Sequence, residues 1–153
     1  MTRPRNASLL IAAIAISAAA ANAYFTEPEK PCFVSGAHAY RIADAKDANV
    51  TVRVNKTAAH PSMRMQLVND PATANFVLVD DDDNTVACRS TGAVKSIRLD
   101  ANAAKPDLTV ALSGQTAPYK IYVHSAHYTP QDAAALFAVM RLDARVPKLA
   151  ARD

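Results

Sequence analysis

NFVLVDDDDNTVACRS, from Asn75 to Ser90, is the stretch whose reading decides the layout of the chain. Four apolar residues, Phe76 to Val79, run into four aspartates, Asp80 to Asp83, and a second short run carries Val86 and Cys88. Apolar runs on either side of a polar tip predict a β-hairpin. Phe76 to Val79 is apolar on both faces, which predicts a central strand covered from both sides. Asp81 to Asn84 is then the exposed turn.

Working outward, five further segments alternate apolar and polar residues at the period of a half-buried strand. They are Val50–Val54, Met63–Val68 (which would also suit a short helix), Val94–Leu99, Leu108–Leu112 and Tyr119–Val123. In the third of these Ile97 and Leu99 face in, with Lys95 and Arg98 partly out. Asn69-Asp70-Pro71 is a turn, because proline pushes the residue before it out of the α region. Gly36 to Lys46 is ambiguous: Ala37, Tyr40, Ile42 and Ala43 allow one helical turn or two, on a pattern too short to decide. The clearest helix is the last element. Thr129 caps it, Pro130 takes the first helical position, and Asp132 stands three after the cap. Ala133, Leu136, Phe137 and Met140 then form one apolar face, ending near Asp143.

A weak internal echo accompanies these strands. Asp70-Pro-Ala-Thr-Ala-Asn-Phe-Val-Leu-Val repeats the layout of Asp44-Ala-Lys-Asp-Ala-Asn-Val-Thr-Val-Arg, 26 residues earlier. Pro106-Asp-Leu-Thr-Val and Pro118-Tyr-Lys-Ile-Tyr-Val are looser copies. Their spacings are unequal, so they read as a recurring way of starting strands rather than as duplicated units. The fold class expected is α+β: a mostly antiparallel sheet of about five to seven strands with the C-terminal helix packed on one face. The alternative is a small β-sandwich with a terminal helix. Either buries Phe76, Leu78, Val110, Ile121, Val123, Leu136, Phe137 and Met140.

The N-terminus has a different character. Arg3 and Arg5 precede an apolar, alanine-rich run from Leu9 to Ala21, and Ala21-Asn22-Ala23 is a small-x-small cleavage pattern. This predicts a signal peptide over residues 1–23, whose apolar core falls short of the roughly 20 residues of a spanning helix. A single exported domain over 24–143 and a flexible tail over 144–153 follow. The expected location is periplasmic or extracellular, with no stable membrane insertion after cleavage. Of 17 basic and 14 acidic residues, only Arg3 and Arg5 lie in the leader, leaving 15 against 14 and a net charge of +1. With no polybasic run, nucleic acid is not an expected partner. Two cysteines, Cys32 and Cys88, in an exported chain predict a disulfide. The sequons at Asn49 and Asn55 bear only on a eukaryotic secretory route.

Three groupings bear on chemistry. Asp80, Asp82 and Asn84 match the first ligand positions of a calcium loop, but Thr85 stands where glycine is needed and Thr91 where a bidentate glutamate is needed. A solvated charged turn is the simpler reading. His124 and His127 have an odd spacing, which a straight strand sends to opposite faces. Ser125 lacks the Gly-x-Ser-x-Gly setting of a nucleophile elbow. Lys120, Tyr122 and His124 share one strand face and make a candidate binding surface, since tyrosine is enriched at interfaces. The competing expectation is that the terminal helix covers that face. The chain thus reads as a non-enzymatic exported module that binds a ligand or a protein and needs no cofactor. The alternative is a metal-dependent protein or hydrolase using the Asp80–Asp83 turn or His124 and His127.

Overall fold

The computed structural model describes residues 32–35, 38–44, 46–80 and 93–145. In chain order the elements are β1 (Phe33–Ser35), β2 (His38–Ile42), β3 (Val50–Asn55), β4 (Met63–Leu67), β5 (Phe76–Asp80), β6 (Val94–Leu99), β7 (Leu108–Ser113), β8 (Tyr119–Ser125) and α1 (Pro130–Arg145), with a 3-10 turn at Pro71–Thr73. The strands form one sheet in the order β1-β2-β6-β3-β7-β4-β8-β5. Only β1 and β2 are antiparallel; every other neighbouring pair is parallel.

This overturns the mostly antiparallel sheet and the sandwich, while the α+β character and the terminal helix on the sheet stand. The antiparallel reading assumed that consecutive strands pair. Here they interleave. One run, β2 to β5, supplies every second strand, and a second run, β6 to β8, fills the gaps. Parallel neighbours usually need a crossover of a dozen or more residues, because the chain must travel back along the strand. These connections have five to eight residues, from 114–118 to 68–75 and 100–107. The register explains how. Ile42, at the end of β2, and Val50, at the start of β3, both face Ile97. Val54 and Met63 both face Val110, and Leu67 and Phe76 both face Ile121. Each strand begins at the level where its predecessor in the run ended. The chain steps sideways without returning, and turn signals that look like hairpins serve parallel strands.

The strand starts share one device. Asn49 Oδ1 accepts the amide of Ser96 at 2.8 Å, and Asn75 Oδ1 accepts that of Lys120 at 2.8 Å. Ser62 Oγ accepts the Thr109 amide at 3.1 Å, and Asp107 accepts that of Thr51 at 2.7 Å. Each polar residue immediately precedes a strand. There the neighbouring strand has an amide with no ladder carbonyl to meet, and the side chain supplies the missing acceptor. Asn49, Ser62 and Asn75 recur every 13 residues, so the 26-residue echo is two steps of this pattern. The echo marks strand starts, as expected, but the intermediate copy uses serine.

Other expectations change with the topology. β5 is the last strand of the sheet, not a central one. Leu78 is 3% exposed, whereas Val77 and Val79 are 45% and 54% exposed on the outer face. Apolar character on both faces therefore does not mark two-sided cover here. The second arm of the expected hairpin, with its aspartate tip, lies outside the described residues. His38–Ile42 is a strand rather than a helical turn, since Tyr40 and Ile42 alternate into the core. The helix runs to Arg145, two residues past the expected end.

Helix α1 is buried on all sides from Asp132 to Val139, and touches β2, β3, β4, β6, β7 and β8. A helix with apolar residues all round belongs in an interior. Ala133, Ala134, Ala135 and Ala138 leave room for the sheet to curl around it. The curl brings the two ends of the sheet together: Phe33 of β1 and Phe76 of β5 have ring centroids 5.9 Å apart. Phe76 in turn contacts Phe137 at 5.3 Å, and Phe137 contacts Tyr119 at 5.5 Å. Of the expected core, Leu78, Val110, Ile121, Leu136 and Phe137 are buried, and Phe76, Val123 and Met140 are partly buried against them.

Candidate functional site

Where β8 gives way to the helix, Asp80, Ser125 and His127 converge. His127 Nδ1 lies 2.7 Å from Asp80 Oδ2, and Ser125 Oγ donates to the same carboxylate oxygen at 2.9 Å. Ser125 Oγ also accepts the amides of His127 at 3.0 Å and Tyr128 at 2.9 Å. A catalytic triad needs the serine hydroxyl on the imidazole, with the carboxylate behind it. Here the hydroxyl proton goes to the carboxylate, and the oxygen lone pairs go to backbone amides. The group fastens β5 to the turn before α1. Burial pushes the Asp80 carboxyl up, but the hydrogen bonds from His127 and Ser125 and the nearby imidazole outweigh it and hold the group below its ordinary range. The next residues form the expected capping box: Thr129 Oγ1 donates to Asp132 at 2.7 Å, and the Asp132 amide donates back at 3.2 Å. Beneath it, burial and then the charges of Asp80 and Asp132 push the Tyr128 hydroxyl up to about 12.

The second site lies at the seam where the two ends of the sheet approach each other over the helix. A cavity of ≈ 430 Å³ opens there. Phe76, Phe137 and Met140 form its apolar part, and His38, Tyr40, Arg141 and Asp143 its polar part. Asp143, near the end of α1, organises the polar part. It accepts a hydrogen bond from the Tyr40 hydroxyl at 3.1 Å and one from Lys95 Nζ at 2.5 Å. Tyr40 is buried, and burial together with the Asp143 charge and hydrogen bond pushes its hydroxyl up to about 12. Arg141 lies over the Tyr119 ring at 5.5 Å, a cation–π contact that holds the guanidinium near the cavity. An apolar floor with a few fixed polar groups is the usual make-up of a small-molecule site.

Sequence reasoning missed Tyr40, Lys95 and Asp143. For Lys95 the signal was present. It shares strand parity with Ile97 and Leu99, so the period of two that turns them inward turns it inward too. Its charge suggested the opposite.

The candidates drawn from the sequence are scattered. Of Asp80, Asp82 and Asn84, the last two lie outside the described residues, and Asp80 is committed to His127 and Ser125. Among the described residues no three His, Cys, Asp or Glu side chains converge on a metal position. His124 is exposed on the outer sheet face, while His127 turns to Asp80. Lys120, Tyr122 and His124 do share that outer face, beside Val77 and Val79. The helix packs on the opposite face, with Tyr119, Ile121 and Val123, so the expected cover by the helix is not found. Cys32 leads into β1 and is not a free thiol; Cys88 lies outside the described residues. No helix among the described residues is long and apolar enough to cross a membrane.

Comparison with known proteins leaves the reading to this geometry. No family model matches the chain, and no curated protein or solved structure matches it.

Proposed function

We propose that this chain is a small exported binding module, stapled by Cys32–Cys88, whose ligand is a small amphipathic molecule held in the seam cavity. The observation that carries the reading is the cavity between β1, β5 and α1, which sets Phe76, Phe137 and Met140 against the Tyr40–Asp143–Lys95 group. The leader-like residues 1–23 support export, and export supports the disulfide. The hydrogen bonding of Ser125 argues against the hydrolase alternative, because a nucleophile needs a free lone pair and a base to take its proton.

The test is a titration of the methyl-labelled protein with a panel of small aromatic carboxylates and amines. The expected result is a saturable shift of the Met140 methyl signal with at least one compound, weakened at least tenfold by Asp143→Ala or Arg141→Ala. A Met140 signal that no member of the panel moves saturably overturns the reading.

A further inference from the structure

A second hollow, independent of the seam, lies on the outer side of the sheet. Its floor is the outer face of β7 and β4, where Ala111 stands opposite Arg64 in the ladder. Its walls are the segment after β3, with Lys56 and Thr57, and the segment after β7, with Gln115 and Thr116. The hollow has a volume of ≈ 340 Å³ and no acidic residue lines it. Neither Lys56 nor Arg64 forms an ion pair among the described residues, where the lysine and arginine pairs are Lys95–Asp143 and Arg98–Asp100. Alanine at 58, 59, 111 and 117 keeps the space open. Ser113 Oγ accepts the Gln115 amide at 3.2 Å, so its proton remains to be donated into the hollow.

We propose that this hollow is an oxyanion site that takes the phosphoryl or sulfuryl group of a small ligand. Two cations face one space with only hydroxyl and amide donors around them. Left empty, they repel each other; a compact anion relieves the repulsion and accepts the donors. The donors come from two walls and the floor. A tetrahedral oxyanion accepts from several directions, whereas a carboxylate accepts mainly in its plane.

The experiment follows backbone amide signals of the folded protein during titration with inorganic phosphate, sulfate and acetate, with ionic strength held constant by sodium chloride. The expected result is saturable shifts at Ala111, Ser113 and Thr116 with phosphate or sulfate. These weaken at least tenfold in both Arg64→Met and Lys56→Met and persist in Lys46→Met, an exposed lysine outside the hollow. A preference for phosphate assigns a phosphoryl ligand; equal binding of phosphate and sulfate assigns tetrahedral oxyanions generally. Acetate binding as tightly as either, or phosphate shifts that survive both substitutions, overturns the proposal. The seam cavity is read through Met140, so the two readings fail separately.

Discussion

Tyr40 and Tyr128 carry their protons in conditions where an unfolded chain gives them up. Both are buried, and each hydroxyl is pushed up to about 12, against about 10 for a free tyrosine. Because the folded values are raised, the stabilisation is fully present below pH 10 and is lost as pH rises toward 12. At about 1.4 kcal/mol per pKa unit, the loss is on the order of 3 kcal/mol from each tyrosine. Urea unfolding at a series of pH values should show this fall, with a shallower slope in Tyr40→Phe. Asp80 behaves in the opposite sense. Its folded value is depressed, so its contribution is present above the ordinary carboxylate range and disappears as pH falls through the folded value. Asp80→Asn should cost about 1.5–3 kcal/mol at pH 7, the range for hydrogen bonds to a charged group. The cost of the same substitution should shrink as pH falls through the folded value, where the wild-type carboxyl takes up its proton.

At the scale of elements, the strand-start residues and the helix differ in how far they could be read from sequence. Strand positions were legible because the period of two survives any change of partner. Val52, Val110 and Ile121 face inward whichever strand lies beside them. The terminal helix was legible from Thr129, Pro130 and Asp132, which act locally. Partner identity was not legible, because it depends on register between segments 45 or more positions apart, such as Lys120 and Asn75. Nor was the seam cavity, which exists only once β1 and β5 meet. The acceptors at strand starts give a direct test. Asn49→Ala and Asn75→Ala should each cost about 1 kcal/mol, the typical net value of such a bond. The double variant should cost the sum, since distant sites add. Thermal unfolding of the three variants checks this. In the helix, Ala135 is fully buried. Ala135→Leu should destabilise by about 1–3 kcal/mol through overpacking, measured by the same unfolding experiment.

The whole molecule is a curled sheet around one helix, and no two consecutive strands of β2 to β8 are neighbours in it. Sheet contacts are therefore almost all distant in sequence, which predicts slow folding relative to a helical or hairpin-rich chain of the same length. The strands β2 to β5 have no ladder partners among themselves, and neither do β6 to β8. The main ladders join one run to the other. Viewed this way, the protein is a two-part complex whose halves share one chain, which gives each half a high effective concentration at the other. Made as separate peptides, residues 24–92, which keep both cysteines, and residues 93–153 should each remain largely unfolded and should regain the native circular dichroism only when mixed. If either piece alone shows the native sheet signal, the strands of one run pair without the other. Two intact chains could exchange halves by the same route, so the interleaved sheet carries a built-in path to domain-swapped dimers.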